Sequence, residues 1–165
     1  MQIKQIETVS KEIGGTKFYI RLFGGMTAAK ISGDLGKYLI PMIVSVLSGI
    51  EANGDGKIDD LLNKDLSELS GGVGDAFDRL DGDTVLKLIK ELLIKYENVT
   101  FDDEITGNAK ILTSDDADEL FCGSVFDIYR LCWEVIKLNY GGLFASLGAQ
   151  SGKVKDLVAS KLNLK

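Results

Sequence analysis

The hydrophobic positions between Asp118 and Phe144 repeat at the spacing of an α-helix. One face carries an i, i+4, i+7 series, and aromatic and aliphatic side chains widen it on both sides. Those positions are Phe121, Val125, Ile128, Cys132, Val135, then Phe126, Tyr129, Trp133, Ile136 and Tyr140. Only a narrow polar stripe remains, with charges placed to pair at i, i+3 and i, i+4. The pattern predicts one long, buried helix that ends at Gly141-Gly142.

The first part of the chain alternates in the manner of β-strands. Phe18, Ile20 and Leu22 alternate with Tyr19, Arg21 and Phe23, and Gly14-Gly15 supplies a turn, so residues 2–23 are predicted to form a hairpin. Two further short strands, at 99–101 and 110–112, flank a polar loop and are placed to extend that sheet.

Helical patterns fill most of the remaining sequence. Thr27 is predicted to cap a helix that Pro41 interrupts. Asp81 precedes an amphipathic helix over residues 85–96, whose apolar face includes Leu86. Residues 148–152 suggest a flexible link before a final short helix capped by Ser151. We therefore predict an α+β fold, mostly helical, with a small antiparallel sheet packed on a helical bundle. A single domain spans 1–147, and a tail spans 148–165.

Composition narrows the function. The net charge of −6 lacks the basic footprint that nucleic acid requires. Histidine is absent, which removes Ser-His and Cys-His nucleophiles and His-bound metals. The two cysteines, ten residues apart on one predicted helix, are too distant for a disulfide. With no signal-peptide or membrane-spanning pattern, we expect a cytoplasmic protein without membrane contact.

One stretch, residues 51–62, overlays the twelve-residue calcium loop of EF-hands. Its candidate ligands are Glu51, Asn53, Asp55, Lys57 through its carbonyl, and Asp59. Leu62, however, stands where a bidentate Glu should supply two oxygens, and no second loop is present. A Gly/Asn/Asp turn between two helices explains the composition better. A calcium site in this loop is therefore kept only as an alternative prediction.

Catalytic patterns are weaker still. Residues 148–155 approach a phosphate-binding loop, but the spacing is one residue short and Val154 stands where Ser or Thr should hold magnesium. The many carboxylates fit turns, caps and solvated surfaces. We expect a protein that is not an enzyme and needs no cofactor.

The order of these features resembles a known family. An N-terminal hairpin (FYIRLFGGMTAAK), a Gly/Pro-interrupted helix (GDLGKYLIPMI) and a middle helix precede an aromatic-rich helix, FDIYRLCWEVIKLNYGGLF. That last stretch is similar to the closing Asn-aromatic-x-x-x-Phe pattern of the tail assembly chaperones of long-tailed bacteriophages. Trp133, Asn139, Tyr140 and Phe144 hold those places, with Phe126 completing the predicted core.

The resemblance implies a non-enzymatic protein that binds the tape-measure protein and keeps it soluble in the bacterial host's cytoplasm before the tail tube assembles. The tail-tube protein and a second copy of the chain are further expected partners. Apolar stretches beside Pro and Gly breaks suggest the contact residues Tyr38, Leu39, Met42, Val46, Leu157 and Val158. The alternatives are a calcium-binding regulatory or structural protein and a structural component of the tail.

Overall fold

The computed structural model describes residues 7–34, 36–38 and 80–162, and for residues 144, 145 and 147–162 it describes the main chain alone. The fold is α+β. The elements run, in order, β1 (Thr8–Ile13), β2 (Thr16–Arg21), α1 (residues 25–34 and 36–38), α2 (Gly82–Ile89) with a π-helical continuation (Lys90–Ile94), β3 (Val99–Asp103), β4 (Asn108–Ile111), α3 (Ser114–Leu120) and α4 (Val125–Leu162).

The four strands form one antiparallel sheet in the order β1-β2-β3-β4. Gly14 and Gly15 both have positive φ, 59° and 81°, as a tight hairpin turn requires. Ile20 pairs with Val99 across the β2–β3 boundary. The predicted hairpin is confirmed over residues 8–21, and so is its extension by two short strands. Residues 2–6 of that prediction lie outside the described residues.

One face of the sheet forms the core. Phe18, Ile20, Val99 and Phe101 alternate inward and are almost completely buried. They pack with buried side chains of α4, namely Leu131, Cys132, Val135 and Ile136. The opposite face of the sheet is polar, and there the Tyr19 hydroxyl donates a hydrogen bond to Asp102.

Helix α2 begins at the predicted place, because the side chain of Asp81 accepts a hydrogen bond from the Thr84 backbone N–H. The helix then widens into a π turn, with Lys95 N–H bonded to the Lys90 carbonyl. The Asn98 side chain donates to the Leu92 carbonyl near the end of this turn. Leu86, predicted to face inward, is 50% exposed.

The prediction of a single helix from Asp118 to Phe144 is wrong at its start. Helix α3 ends at Leu120, and α4 begins at Val125. Gly123 adopts a φ of 77° between them, a conformation that ends a right-handed helix at little cost only for glycine. The turn leaves Phe121 free to stack on Phe18, with ring centroids 5.7 Å apart.

The predicted stop at Gly141-Gly142 is also wrong, as is the link at 148–152. Helix α4 runs through both to Leu162. Glycine lowers helix propensity by about 1 kcal/mol relative to alanine, which neighbouring turns can offset. The division of the chain at residue 147 and the helical bundle both remain predictions.

Candidate interaction surface

The residues predicted to form the core of α4 have different environments. Trp133 and Tyr140 are 4% and 6% exposed. Phe126 is instead 47% exposed, because it lies in the first turn of α4, just beyond the break at Gly123. Asn139 is half-buried. The side chain of Phe144 lies outside the described part of the structure.

Asn139 and Tyr140 fasten the segment after the hairpin to α4. The Phe23 backbone N–H donates to Asn139 Oδ1 at 2.8 Å, and the Tyr140 hydroxyl donates to the Ala28 carbonyl at 2.9 Å. Asn139 also donates to the Val135 carbonyl. Burial raises the pKa of Tyr140 to about 12, so its hydroxyl stays protonated and able to donate. Both residues therefore position the start of α1.

The charged residues of the polar stripe on α4 form ion pairs within the fold. Glu134 is 7% exposed, and its carboxylate lies 2.5 Å from Lys137 Nζ and 3.3 Å from Lys11 Nζ. Arg130 pairs with Asp127 at 3.0 Å. The i, i+3 pairs expected from the sequence are therefore present, and one carboxylate also ties β1 to α4.

Of the six predicted contact residues, only Tyr38 has a described side chain. It is partly buried and packs against the core. Hydrogen bonding to Lys37 lowers the pKa of its hydroxyl. Leu39, Met42 and Val46 lie outside the described residues. Leu157 and Val158 lie in α4, where only the main chain is described.

The candidate calcium ligands Glu51, Asn53, Asp55, Lys57 and Asp59 also lie outside the described residues. Within the described ranges, no three His, Cys, Asp or Glu side chains group closely enough to hold a metal ion. In that same part of the chain, no helix combines the length and the apolar composition needed to cross a bilayer.

An apolar groove separates α2 from α3 and the start of α4. Its cavity measures about 490 Å³. The lining is mainly aliphatic and aromatic, and comprises Leu86, Ile89, Lys90, Ile94, Ser114, Ala117, Asp118, Phe121, Val125 and Ile128. Leu86 and Val125 leave 50% and 61% of their surfaces exposed at the two sides. We call this surface the α2–α3 groove.

A second cavity, of about 510 Å³, continues the groove over the outer face of α2. It shares Leu86, Lys90, Ile94 and Ser114 with the first. Its additional residues are charged, and they include Lys87 and an ion pair of 2.6 Å between Glu91 and Lys95. The combined surface is thus an apolar channel with a charged border.

Sequence reasoning missed this groove. The hydrophobic periodicity assigned Leu86, Val125 and Ile128 to buried helix faces. It did not show that the face of α2 and the face of α4 would be separated by a groove. The available signal was Gly123, since a glycine within an otherwise continuous helical pattern can mark a break. The break at this glycine separates α3 from α4 and lets both line the groove with α2.

No curated protein and no solved structure matches the chain. Residues 14–152 match the model of a protein family described as phage tail assembly chaperone protein, TAC. The match begins after β1 and includes β2, α1, α2, the β3–β4 hairpin, α3 and most of α4. It confirms the resemblance drawn from the N-terminal hairpin and the aromatic-rich helix. The chain therefore belongs to the phage tail assembly chaperone family.

Proposed function

We propose that this chaperone binds the tape-measure protein and keeps it soluble in the host cytoplasm until the tail tube assembles around it. The role is binding, without catalysis. The α2–α3 groove is the observation that carries this proposal, because it presents apolar side chains at the surface of a chain with net charge −6. Exposed apolar channels of this kind characterise sites of protein–protein interaction.

The shape of the groove suits a helix. Two helical walls bound it, and its apolar residues on α2 recur at i, i+3 and i+8, namely Leu86, Ile89 and Ile94. An amphipathic client helix with i, i+3, i+4 and i+7 anchors can fill such a channel. A long tape-measure chain that exposes such stripes would aggregate unless they were covered.

Each binding event needs only modest affinity. Full burial of a leucine or valine side chain contributes about 1.5–3 kcal/mol, and Leu86 and Val125 still expose half or more of theirs. Several chaperone copies along one long client, aided by contacts between copies, would gain avidity. The negative net charge would keep the coated client soluble.

Further contacts outside the groove belong to the same proposal. Tyr38 lies in α1, Leu39, Met42 and Val46 come after it in the sequence, and Leu157 and Val158 lie near the end of α4. The tail-tube protein is a second proposed partner, met when the client is handed over. The groove remains the surface on which the proposal is tested.

The test is co-expression with the tape-measure protein encoded nearest to this gene, followed by size-exclusion chromatography. We expect the client to be soluble and to co-elute with the native chaperone. Leu86→Glu and Val125→Glu should return the client to the insoluble fraction. Both positions are exposed, and Glu suits a helix and the first turn of α4, so the variants should fold.

Ile105→Glu is the matched control, because Ile105 is 92% exposed in the turn between β3 and β4, outside the groove. It introduces the same charge and should leave the client soluble. Equal thermal stability of all three variants excludes unfolding as the cause. A client that stays soluble with both groove variants, or aggregates with the native chain, overturns the proposal.

A further inference from the structure

The two walls of the α2–α3 groove carry charges of opposite sign. Lys90 lines both cavities from the α2 side, and Lys87 lies beside it. Asp118 lines the groove from α3. All three side chains are exposed, and among the described residues none of them takes part in an ion pair. Within the described residues, the border therefore offers cations without an ion-pair partner on one wall and a carboxylate without one on the other.

The other charged groups of this surface are already compensated. Lys95 neutralises Glu91 at 2.6 Å on the outer face of α2. Asp83 lies in the first turn of α2, where the helix dipole favours a negative charge. The excess charge on the α2 wall is consequently positive, against the sign of the whole chain. Net charge alone would have indicated that basic client segments bind everywhere.

We propose that the groove selects an amphipathic helix with an asymmetric border. Acidic residues would flank its apolar stripe on the edge that faces Lys87 and Lys90, and basic residues would flank the edge that faces Asp118. This inference rests on the proposed function and adds the charge pattern of the client segment. Opposite charges across an interface fix the register and reject wrong partners, while the apolar floor supplies most of the affinity.

The asymmetry also sets the direction of the client helix. Turning a helix end for end in the groove, with its apolar stripe still inward, exchanges its left and right edges. A helix with one acidic and one basic edge therefore places opposite charges against both walls in one direction only. Along a tape-measure chain, every copy of the chaperone would then point the same way.

The test uses the full-length protein and designed helical peptides of about 20 residues, long enough to hold helical structure. Three peptides share one apolar stripe and differ at its edges. One has an acidic and a basic edge, one has two acidic edges, and one has two basic edges. The native chain should bind the mixed peptide most tightly, by roughly two- to fivefold for each satisfied charge pair, with the preference weakening in salt.

Charge reversal should change the order of preference. Asp118→Lys makes both walls basic, and the peptide with two acidic edges should become the tightest ligand. Lys87→Glu with Lys90→Glu makes both walls acidic, and the peptide with two basic edges should take that place. The controls are Lys17→Glu and Glu104→Lys, which change exposed charges on β2 and in the β3–β4 turn. Neither control should alter the order.

The outcomes separate this inference from the proposed function. An unchanged order in the charge-reversed variants overturns the asymmetric border, even if Leu86→Glu still abolishes client solubility. If client solubility does not depend on Leu86 and Val125, the proposed function is overturned instead. If the native protein is a dimer and Val125→Glu dissociates it, the groove is occupied by a second copy of the chain. If the groove cross-links to residues 39–79 of its own chain while the peptide is bound, that segment is the occupant. Either result would overturn the inference.

Discussion

Asn139 on α4 accepts a hydrogen bond of 2.8 Å from the backbone N–H of Phe23, 116 positions earlier in the chain. Phe23 is 7% exposed, and its ring meets Tyr96 edge-on at 5.7 Å. An N–H left unpaired at such a site keeps its full desolvation cost. We expect Asn139→Ala to lower the free energy of unfolding by about 2 kcal/mol, measured by urea denaturation.

Asn108→Ala is the control for this prediction. Asn108 is exposed on β4, and among the described residues its side chain bonds only to the nearby Thr106 carbonyl. Its loss should therefore cost less than about 0.5 kcal/mol. Asn139→Asp retains the acceptor for Phe23 and should fall between the two. If Asn139→Ala were as stable as Asn108→Ala, the bond to Phe23 would contribute no net stability.

Glu134 joins two lysines whose surroundings differ. Its own side chain is 8% exposed and that of Lys137 9%, whereas the side chain of Lys11 is 44% exposed. Removing a partner from a buried ion pair is costly, while an exposed partner regains water. We expect Glu134→Gln to cost about 3 kcal/mol in unfolding free energy and Lys11→Met less than about 1 kcal/mol. Equal losses for the two variants would contradict this assignment of burial.

Local patterns explain which elements were predictable. The alternation around Phe18 and the Gly14-Gly15 pair define a hairpin within a few residues, and Asp81 marks the start of α2 by its own side-chain chemistry. The start of α1 was misplaced. The helix begins at residue 25, with the Ala28 N–H bonded to the Gly24 carbonyl, so Thr27 lies inside its first turn.

Tertiary contacts decided the rest. Whether a glycine ends a helix depends on its φ, and sequence cannot distinguish Gly123, which does, from Gly141, which does not. The helix faces that line the groove have the same hydrophobic pattern as helix faces that are buried, so the sequence does not show that a gap separates them. Leu86 and Leu88 are two residues apart, and only Leu88 is buried.

The cap of α3 links stability to acidic pH. Thr113 and Asp116 exchange hydrogen bonds in a capping box, and Lys110 Nζ lies 2.6 Å from the Asp116 carboxylate. The hydrogen bond from Lys110, and after it that from Thr113, lowers the pKa of Asp116 below its ordinary value of 3.8. A lowered pKa in the folded state adds stability that is present above pH 3.8 and lost as the pH falls through the folded value.

We therefore expect Asp116→Asn to reduce the loss of stability below pH 3.8, measured by thermal unfolding across that range. In Lys110→Met, an NMR titration should show the pKa of Asp116 moving back towards 3.8. Asp115→Asn is the neighbouring control, since it removes the same charge from the same helical turn without disturbing the capping box. If Asp115→Asn reduced the acid sensitivity as much as Asp116→Asn, the cause would be the loss of a negative charge and not the contacts of Asp116 with Thr113 and Lys110.

Gly14 and Gly15 form the turn between β1 and β2 but differ in their surroundings. Both have positive φ, which costs about 1–2 kcal/mol for a residue with a Cβ. A Cβ on Gly14 would lie 2.9 Å from Asp127 Oδ2, and that carboxylate is held by Ser124 at 2.5 Å and by Arg130 at 3.0 Å. A Cβ on Gly15 would meet open space. We expect Gly15→Ala to cost about 1 kcal/mol and Gly14→Ala about 1 kcal/mol more, by urea denaturation. Ser124→Ala, which removes one of the hydrogen bonds that hold this carboxylate, should narrow that difference in unfolding free energy. An unchanged difference would mean that the contact with the carboxylate does not distinguish the two glycines.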